Sequence, residues 1–323
     1  MSSRQAPGWP RKLRYLAEYA LVRGVAALAL LLPARAVLAI GRMAGTLVWS
    51  IDARHRRVAE DNLRQAFGPA LTPPSRRRLA RRTFQRFGEA LGEFLLLPRI
   101  QRSKPGTWVE VRGLEHLRSA RQAGDGALLV SGHYGNWEVA AFAQALIGMP
   151  MVLVVRPLDN PWLERWFTRM RALSGNRVVP KRRALRELLP ALGRGESVAL
   201  MIDQNVRGDG GVFVDFFGQP ASTTAAIGLL ALKRKSPIVP VFSVPLGGGR
   251  HRLEFEEPIR PRLEAPNRRA EVTRLAREAT ARLEARIRQR PELWLWMHER
   301  WRTRPHQPEV ATPAVAPAGE RRA

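Results

Sequence analysis

The sequence predicts an α/β fold, a mixed sheet flanked by helices, preceded by a helical N-terminal segment. From about residue 108 onward, short apolar runs of strand length alternate with longer segments whose apolar residues recur at helical spacing. Strands separated by helices are typical of α/β sheets with right-handed crossovers. With 323 residues, the chain is long enough for one large α/β domain with additions, or for two small domains.

The elements follow from local pattern, since each strand is a short apolar run and each helix carries an apolar stripe. The predicted strands span residues 109–111, 127–130, 151–155, 198–202, 211–217, 238–244 and 252–256. The predicted helices span residues 53–67, 75–97, 136–146, 161–173, 183–192, 223–233 and 268–288, and residues 294–301 close the fold. We therefore divide the chain into an N-terminal segment (1–52), an α/β domain (53–302) and a Pro/Ala-rich tail (303–323), which we expect to be disordered.

The N-terminal segment is rich in Leu, Ala and Val, but Arg23, Arg35 and Arg42 interrupt it. Its longest charge-free piece, residues 24–34, is shorter than the about 20 apolar residues that span a bilayer. We therefore expect two helices that lie in a membrane interface and break near Leu32-Pro33, with the arginines reaching the headgroups.

The charge of the chain is strongly positive, with 54 Lys+Arg against 28 Asp+Glu and a formal net charge of +26. Such a balance favours a polyanionic partner, which is either nucleic acid or an anionic membrane surface. The apolar N-terminal segment favours the membrane surface, so we expect no nucleic acid. The absence of cysteine excludes disulfides, a thiolate nucleophile and a Cys-ligated metal. We expect neither a cofactor nor a bound metal.

A polar stretch, Ser131 to Glu138, joins the apolar strand 127–130 to the apolar helix 136–146. It places His133 at the carboxyl end of a strand, the sheet edge at which ligands bind in α/β folds. The carboxylate of Glu138, in the first helical turns, would hydrogen-bond one ring nitrogen of His133 and leave the other as a general base. In the alternative interpretation, the histidine caps the strand and the glutamate only stabilises the helix dipole.

Two further strands end in polar residues. Arg156 follows the strand 151–155, and Pro157 prevents the chain from continuing there as a helix. Asp203 and Gln204 follow the strand 198–202. We expect these side chains to line the same crevice as His133, although Asp203 would also suit a simple ion pair with Arg156 or another arginine.

Two later segments combine aromatic and polar residues. Residues 215–224 present two aromatics before a turn and then hydroxyl groups suited to capping a helix. Residues 294–301 carry three tryptophans together with His298 and Arg300. Amphipathic Trp and Arg are common where an apolar phase meets water.

These motifs, in this order, resemble the lysophospholipid acyltransferase superfamily, and within it the lipid A late acyltransferases. The resemblance extends over about residues 56–305. It rests on His-x4-Glu at 133–138, Arg-Pro-x-Asp-Asn-Pro at 156–161, Phe-x-Gly-x-Pro-Ala-x-Thr at 216–223 and Trp-x-His-x-Arg-x-x-Thr-Arg-Pro at 296–305. It implies an α/β enzyme at the cytoplasmic face of the inner membrane that moves a fatty acyl chain from a carrier thioester to a lipid hydroxyl. The N-terminal segment departs from the family pattern, because its arginines interrupt a clean membrane span.

The resemblance also implies roles for the residues at the sheet edge. His133 is expected to be the general base, with Glu138 as its orienting partner. Attack on a thioester develops an oxyanion, for which backbone N–H groups around Gly135 and Asn136 are candidate donors. No Gly-x-Ser-x-Gly segment is present, so we expect direct transfer without an acyl-enzyme.

The remaining site residues are expected to bind substrate. Arg156 suits a substrate phosphate, because its planar fork matches phosphate geometry. Asp203 and Gln204 are expected to line the same substrate crevice. The sequence thus predicts a membrane-associated O-acyltransferase that uses acyl carrier protein and a lipid A precursor. Acylation of another glycolipid, such as a phosphatidylinositol mannoside, or of a lysophospholipid is one alternative, and a non-catalytic, basic, membrane-tethered binding protein is another.

Overall fold

The computed structural model describes residues 8–104, 106–123 and 125–305. The strands are β1 (Val109–Arg112), β2 (Ala127–Ser131), β3 (Met151–Val155), β4 (Arg177–Pro180), β5 (Ser197–Met201), β6 (Gly211–Phe216), β7 (Gln219–Thr224), β8 (Ile238–Gly247) and β9 (Arg250–Phe255). The helices are α1 (Trp9–Leu31), α2 (Ala34–Ile51), α3 (Ala53–Phe67), α4 (Pro73–Leu95), α5 (Leu97–Gln101), α6 (Leu114–Gln122), α7 (Trp137–Leu146), α8 (Pro161–Ala172), α9 (Ala184–Gly193), α10 (Ala226–Arg234) and α11 (Arg268–Gln289). Most of the predicted tail, from residue 306 on, lies outside the described residues.

The central sheet has seven strands in the order β1-β9-β8-β2-β5-β3-β4. Strands β8, β2, β5, β3 and β4 run parallel, whereas β9 pairs antiparallel with β8 and β1 runs parallel to β9. The sheet is therefore mixed and flanked by helices, as the alternation of strands and helices predicted. Its five parallel strands bring the loops after β2, β3 and β5 to one edge.

The core lies on both faces of this sheet, because successive side chains of a strand point to opposite faces. On one face, Leu128 and Val130 of β2 pack with α9, α10 and α11. On the other, Leu129 packs with α6 and α7. Residues 127–130 of β2 are all apolar because the strand is buried on both faces, as in other parallel sheets.

Several elements differ from the sequence-based expectation. The strand predicted over residues 211–217 forms as β6, but it pairs with β7 in a separate two-stranded hairpin, and the helix predicted from residue 223 begins at Ala226. Residues 294–301, which were expected to close the fold, form turns. The tryptophans at 294, 296 and 301 are buried in the core, so the interfacial setting expected for them was wrong. Helix α6 and strand β4 were not predicted, because α6 is short and polar and β4 has only four residues, of which two are valines.

The N-terminal helices break at Leu32-Pro33, as predicted. Helix α2 packs closely on α4 through glycines, since a Cβ on Gly41 would overlap the carbonyl of Gly88, and one on Gly45 would overlap that of Phe84. The opposite side of α2 exposes large apolar side chains, among them Met43 and Leu47. Within the described residues, α2 is the one helix whose length and composition would allow a membrane span.

Candidate active site

His133 and Asp203 meet because neighbouring parallel strands place them in register. Ser131, the last residue of β2, pairs with Met201, the last residue of β5. His133 and Asp203 each follow two residues later, so both side chains reach the same point beyond the sheet edge. The Nδ1 atom of His133 lies 2.9 Å from Oδ1 of Asp203.

Asp203 is held by three donors. Its Oδ2 accepts hydrogen bonds from the backbone N–H of His133 at 2.6 Å and from the indole N–H of Trp294 at 2.9 Å, while Oδ1 faces the His133 ring. A carboxylate only accepts, so Nδ1 of His133 carries the proton and Nε2 is left with its lone pair. Asp203 is 1% exposed. It therefore lies behind the histidine. The sequence had led us to expect Asp203 on the open wall of the crevice, in contact with substrate.

The electrostatics of the pair are set by burial and by their mutual charge. Burial by itself would lower the pKa of His133, but the Asp203 carboxylate outweighs burial and, with a smaller contribution from Glu138, raises the pKa above its ordinary value. Burial would raise the pKa of Asp203, whereas the charge and hydrogen bonds of His133 hold it well below its usual range. The pair therefore stabilises the imidazolium form of His133, which a general base becomes during reaction.

Glu138 does not orient His133, contrary to the hydrogen bond expected from the sequence. Its carboxylate instead binds Arg171 of α8 through Nε at 2.9 Å and Nη2 at 2.6 Å. Glu138 pairs with Arg171 and not with His133, because two N–H groups of the planar guanidinium match the two oxygens of a carboxylate. The pKa of Arg171, which burial would lower, is raised by its hydrogen bond and ion pair with Glu138. Both residues line the same cleft as His133.

The turn that enters α7 uses the polar groups of Gly135 and Asn136 for structure. The side-chain oxygen of Asn136 accepts from the backbone N–H of Glu138 and of Val139, and its Nδ2 donates to Glu93 at 2.7 Å. Gly135 adopts a φ of 61°, and a Cβ there would overlap the carbonyl of Ser243. Its N–H donates to the carbonyl of Leu293, so Gly135 is not available as the oxyanion donor that we expected.

Arg156 and Gln204 do reach the crevice as predicted, since both line the cleft and both are exposed. Within residues 8–104, 106–123 and 125–305, no carboxylate forms an ion pair with Arg156. The ion pair between Arg156 and Asp203 that was left open is therefore absent, and the guanidinium of Arg156 faces the cleft without a protein partner.

The C-terminal segment, residues 294–301, holds the loops that carry His133 and Asp203, a role that its local sequence did not reveal. The N–H of Leu295 donates to the carbonyl of His133 at 3.0 Å, and the ring of His298 contacts the carbonyl of Asp203 through Nε2 at 3.0 Å. Because a carbonyl only accepts, Nε2 of His298 carries the proton. Burial lowers the pKa of His298 although Asp203 opposes this, so the ring is neutral beside His133. The tryptophan-histidine motif is thus structural support for the pair.

Arg300 is fully buried and ties this segment to the β6–β7 hairpin. Its guanidinium donates to the carbonyl of Ser222 at 2.7 Å and to the hydroxyl of Thr223, and it lies 5.2 Å from the ring centroid of Phe216. Burial lowers its pKa to about 10. Of the hydroxyl groups predicted to cap a helix, that of Thr223 binds this arginine and that of Ser222 donates to the carbonyl of Val206, whereas that of Thr224 accepts from the backbone N–H of Ala226 at the start of α10.

The site opens into a cleft of about 2520 Å³, which is continuous from His133 to both faces of the sheet. Its lining is mainly apolar, with basic side chains at several places, among them Arg156, Arg171, Lys233, Arg268 and Arg304. A large, mainly apolar cleft that opens beside the His133–Asp203 pair suits a substrate with long hydrocarbon chains.

Comparison with known proteins agrees with this chemistry. Residues 7–303 match the family model described as bacterial lipid A biosynthesis acyltransferase. The chain is 30% identical over 288 residues to the lipid A biosynthesis lauroyltransferase of Escherichia coli K12, covering 87% of this chain and 90% of that protein. It is 26% identical over 267 residues to the palmitoleoyltransferase of the same organism, covering 82% and 85%. It is also 27% identical over 213 residues to a phosphatidylinositol mannoside acyltransferase of Mycolicibacterium smegmatis, covering 65% and 67%. The chain is therefore an acyltransferase that belongs to the bacterial lipid A biosynthesis acyltransferase family.

Proposed function

We propose that the protein transfers a fatty acyl chain from an acyl carrier protein thioester to a hydroxyl group of a lipid A precursor, with His133 as the general base oriented by Asp203. The observation that carries this proposal is the hydrogen bond from Nδ1 of His133 to Asp203 at the mouth of an apolar cleft. It leaves Nε2 to accept the proton of an alcohol. The lipid A lauroyltransferase, at 30% identity, supports the choice of acceptor.

The reaction then proceeds by direct transfer. Nε2 of His133 takes the proton of the acceptor hydroxyl while its oxygen bonds to the thioester carbonyl carbon, and the carbonyl oxygen becomes an oxyanion. Collapse of this tetrahedral intermediate breaks the carbon–sulfur bond, and the departing carrier thiolate takes the proton from the His133 imidazolium. The products are an ester and a free carrier thiol. Asp203 stabilises the imidazolium between the two proton transfers.

Arg171, which lines the same cleft as His133, is proposed as the donor to the oxyanion. Its Nε and Nη2 are occupied by Glu138, whereas its Nη1 makes no hydrogen bond within the described residues. The pairing fixes the guanidinium in the cleft before the substrate arrives, which is what stabilisation of a developing charge requires. Glu138 therefore contributes by holding Arg171, and not by orienting the base.

The proposal is tested by incubating the purified, detergent-solubilised protein with acyl carrier protein thioester and a lipid A precursor, and by measuring the acceptor by mass spectrometry. We expect the acceptor mass to increase by one acyl group. A phosphatidylinositol mannoside acceptor in parallel tests the second candidate, which the mycobacterial relative favours. An unmodified acceptor in both reactions, with tight binding of either lipid, would instead indicate a non-catalytic binding protein.

Arg156 is proposed to bind a phosphate of the acceptor, because it lines the cleft and forms no ion pair with any carboxylate of the described residues. We expect Arg156→Lys to impair transfer almost as much as Arg156→Ala, since lysine keeps the charge but loses the two-point contact. The measurement is the KM for a phosphorylated acceptor. Arg165→Lys on α8, whose side chain is exposed, is the matched control. Full activity of Arg156→Lys would assign Arg156 to general electrostatic attraction.

We also propose attachment to the cytoplasmic face of the inner membrane through the exposed apolar side of α1 and α2. Deleting residues 1–52 would uncover α4, so the sharper change is Met43→Glu with Leu47→Glu on the side of α2 that faces away from α4. We expect this variant to lose most of its binding to anionic vesicles, because two charges oppose apolar insertion. Binding is measured by vesicle sedimentation at low and high salt. Unchanged sedimentation would exclude this surface as the anchor.

A further inference from the structure

The contact between the apolar helix α2 and the basic helix α4 ends in a tryptophan and two arginines. The two helices pack closely where Gly45 of α2 faces the backbone of Phe84 on α4. Trp49 lies one helical turn after Gly45, on the same side of α2. Arg81 and Arg77 lie one and two turns before Phe84, on the same side of α4. Beyond the glycine contact, an indole ring therefore meets two guanidinium groups.

Three guanidinium groups in all surround the indole ring of Trp49. The Cζ atoms of Arg56, Arg77 and Arg81 lie 5.4, 5.5 and 5.7 Å from its ring centroid. Arg56 belongs to α3, and its Nη1 donates to the carbonyl of Trp49 at 2.8 Å, which fixes this arginine at the end of α2. We call these four residues the arginine cluster. Because each Cζ atom is so near one point, any two of the three charges lie within about 11 Å of each other.

The positive charge of the arginine cluster is not neutralised within the part of the chain that the structure describes. No carboxylate there forms an ion pair with any of its three arginines. Of the two carboxylates one turn away from Arg56, Asp52 bonds His55, and Glu60 makes no ion pair with the cluster. By contrast, Arg286 of α11 pairs with two glutamates. Like charges held together without a counter-charge repel one another, and an anion bound among them removes that repulsion.

Cation–π attraction does not by itself account for three arginines around one ring. An indole has two faces, and the attraction arises over a face. Arg77 and Arg81 are exposed, so each could extend into water away from the other. Within the described residues, neither of them makes a hydrogen bond. The cluster thus presents free N–H groups of guanidinium forks, which match the oxygens of a phosphate.

The arginine cluster lies beside the surface that we propose to enter the membrane. Leu47 and Ile51, both exposed on α2, are within one turn of Trp49. None of the four cluster residues lines the cleft that contains His133. Basic side chains next to an apolar helix are attracted to the headgroups of anionic lipids. The ligand that fits both surroundings is a phosphate group that carries hydrocarbon chains.

We propose that the arginine cluster is a binding site for the phosphate headgroup of an anionic phospholipid, separate from the catalytic cleft. This inference rests on the proposed attachment of α2 to the membrane. The guanidinium groups bind the phosphate oxygens, and the acyl chains of the lipid lie along the exposed apolar side of α2. Because Arg56, Arg77 and Arg81 belong to the α/β domain, a bound headgroup fixes the orientation of that domain on the membrane.

The test measures binding of the whole chain to vesicles of phosphatidylcholine, with and without phosphatidylglycerol, by sedimentation at physiological salt. The quantity of interest is the anionic preference, which is the ratio of the two partition coefficients. Arg77→Gln with Arg81→Gln should lower this preference about 25-fold, because each basic residue at an anionic surface contributes a factor of about five. Arg78→Gln with Arg82→Gln is the matched control, since it removes two exposed charges from the same helix outside the cluster. We expect the control to lower the preference by less than about fivefold.

Arg77→Lys with Arg81→Lys separates a phosphate site from diffuse attraction. Lysine keeps the charge but lacks the planar fork, so we expect the anionic preference to fall by more than about threefold. Equal losses in the glutamine pair and its control, or full preference in the lysine pair, would overturn the site. In detergent, the glutamine pair should transfer acyl chains like the wild type. A raised KM for carrier thioester, with unchanged vesicle binding, would assign these arginines to an acidic protein partner and overturn the lipid assignment.

Two further measurements identify the source of the phosphate and test the membrane attachment. Soluble glycerol 1-phosphate, compared with chloride at equal ionic strength, should leave vesicle binding unchanged, because it has no hydrocarbon chains to hold it beside α2. Displacement of the vesicles by this compound would overturn the lipid assignment. Wild-type protein that binds neither type of vesicle would contradict the attachment through α2, whereas equal binding to both would contradict only the headgroup site.

Discussion

His133→Ala is expected to lower kcat for acyl transfer by roughly 10²–10⁴-fold, the usual contribution of a general base. The variant removes the imidazole whose Nδ1 donates a hydrogen bond to Asp203. It thereby removes Nε2, the nitrogen that is able to accept a proton. The backbone N–H of His133, which also bonds Asp203, is retained, so the loop should keep its position. The measurement is the rate of acceptor acylation by mass spectrometry at saturating thioester.

His55→Ala is the matched control, because His55 also bonds an aspartate through Nδ1 but lies on α3 with a largely exposed side chain. It should transfer like the wild type. Wild-type rates in His133→Ala, with an unchanged melting temperature, would contradict the assignment of the base.

Asp203→Asn should lower kcat by about 10³–10⁴-fold, by placing the proton on the wrong nitrogen. The two N–H donors of His133 and Trp294 will select the amide oxygen of the new side chain at the Oδ2 position. The NH₂ group of the asparagine then faces Nδ1 of His133, so Nδ1 has to accept a hydrogen bond. The ring proton therefore lies on Nε2, and Nε2 cannot act as a base. The same substitution in serine protease triads costs about 10⁴ in kcat for this reason.

Because asparagine has the same shape as aspartate, the geometry of the site should not change. The loss of activity should therefore appear in kcat, with little change in the KM for thioester. Asp215→Asn, at an exposed position of the β6–β7 hairpin, controls for the loss of a carboxylate. A variant at position 203 that retains kcat within about threefold would show that the pair is only structural.

The parallel core could be predicted from the sequence. The placement of His133, Arg156 and Asp203 at one sheet edge could also be predicted, because each follows an apolar run of strand length. The sequence did not predict which acid pairs with the histidine. Glu138 was the nearer carboxylate along the chain, whereas the register between β2 and β5 determines that Asp203 is the nearer one in space.

The partners contributed by distant elements were also missed. Arg171 lies in the middle of a basic amphipathic helix, and nothing in its neighbours distinguishes it from Arg165 or Arg169. Trp294 was taken for an interfacial residue, because tryptophan is suited both to a membrane boundary and to a buried hydrogen bond. Long-range packing decides between these uses, and local pattern contains no information about it.

The pH dependence of kcat/KM for wild type and Asp203→Asn tests the central claim most directly, since it reports the pKa of the base in the free enzyme. His133 must be neutral to accept a proton, and Asp203 holds its pKa above the ordinary value of about 6.5. The wild-type rate should therefore fall as the pH decreases through a midpoint above about 6.5. In Asp203→Asn the carboxylate is gone while burial remains, so the residual rate should have a lower midpoint. A wild-type rate that does not change between about pH 5.5 and 9, or a midpoint that Asp203→Asn leaves in place, would contradict the account.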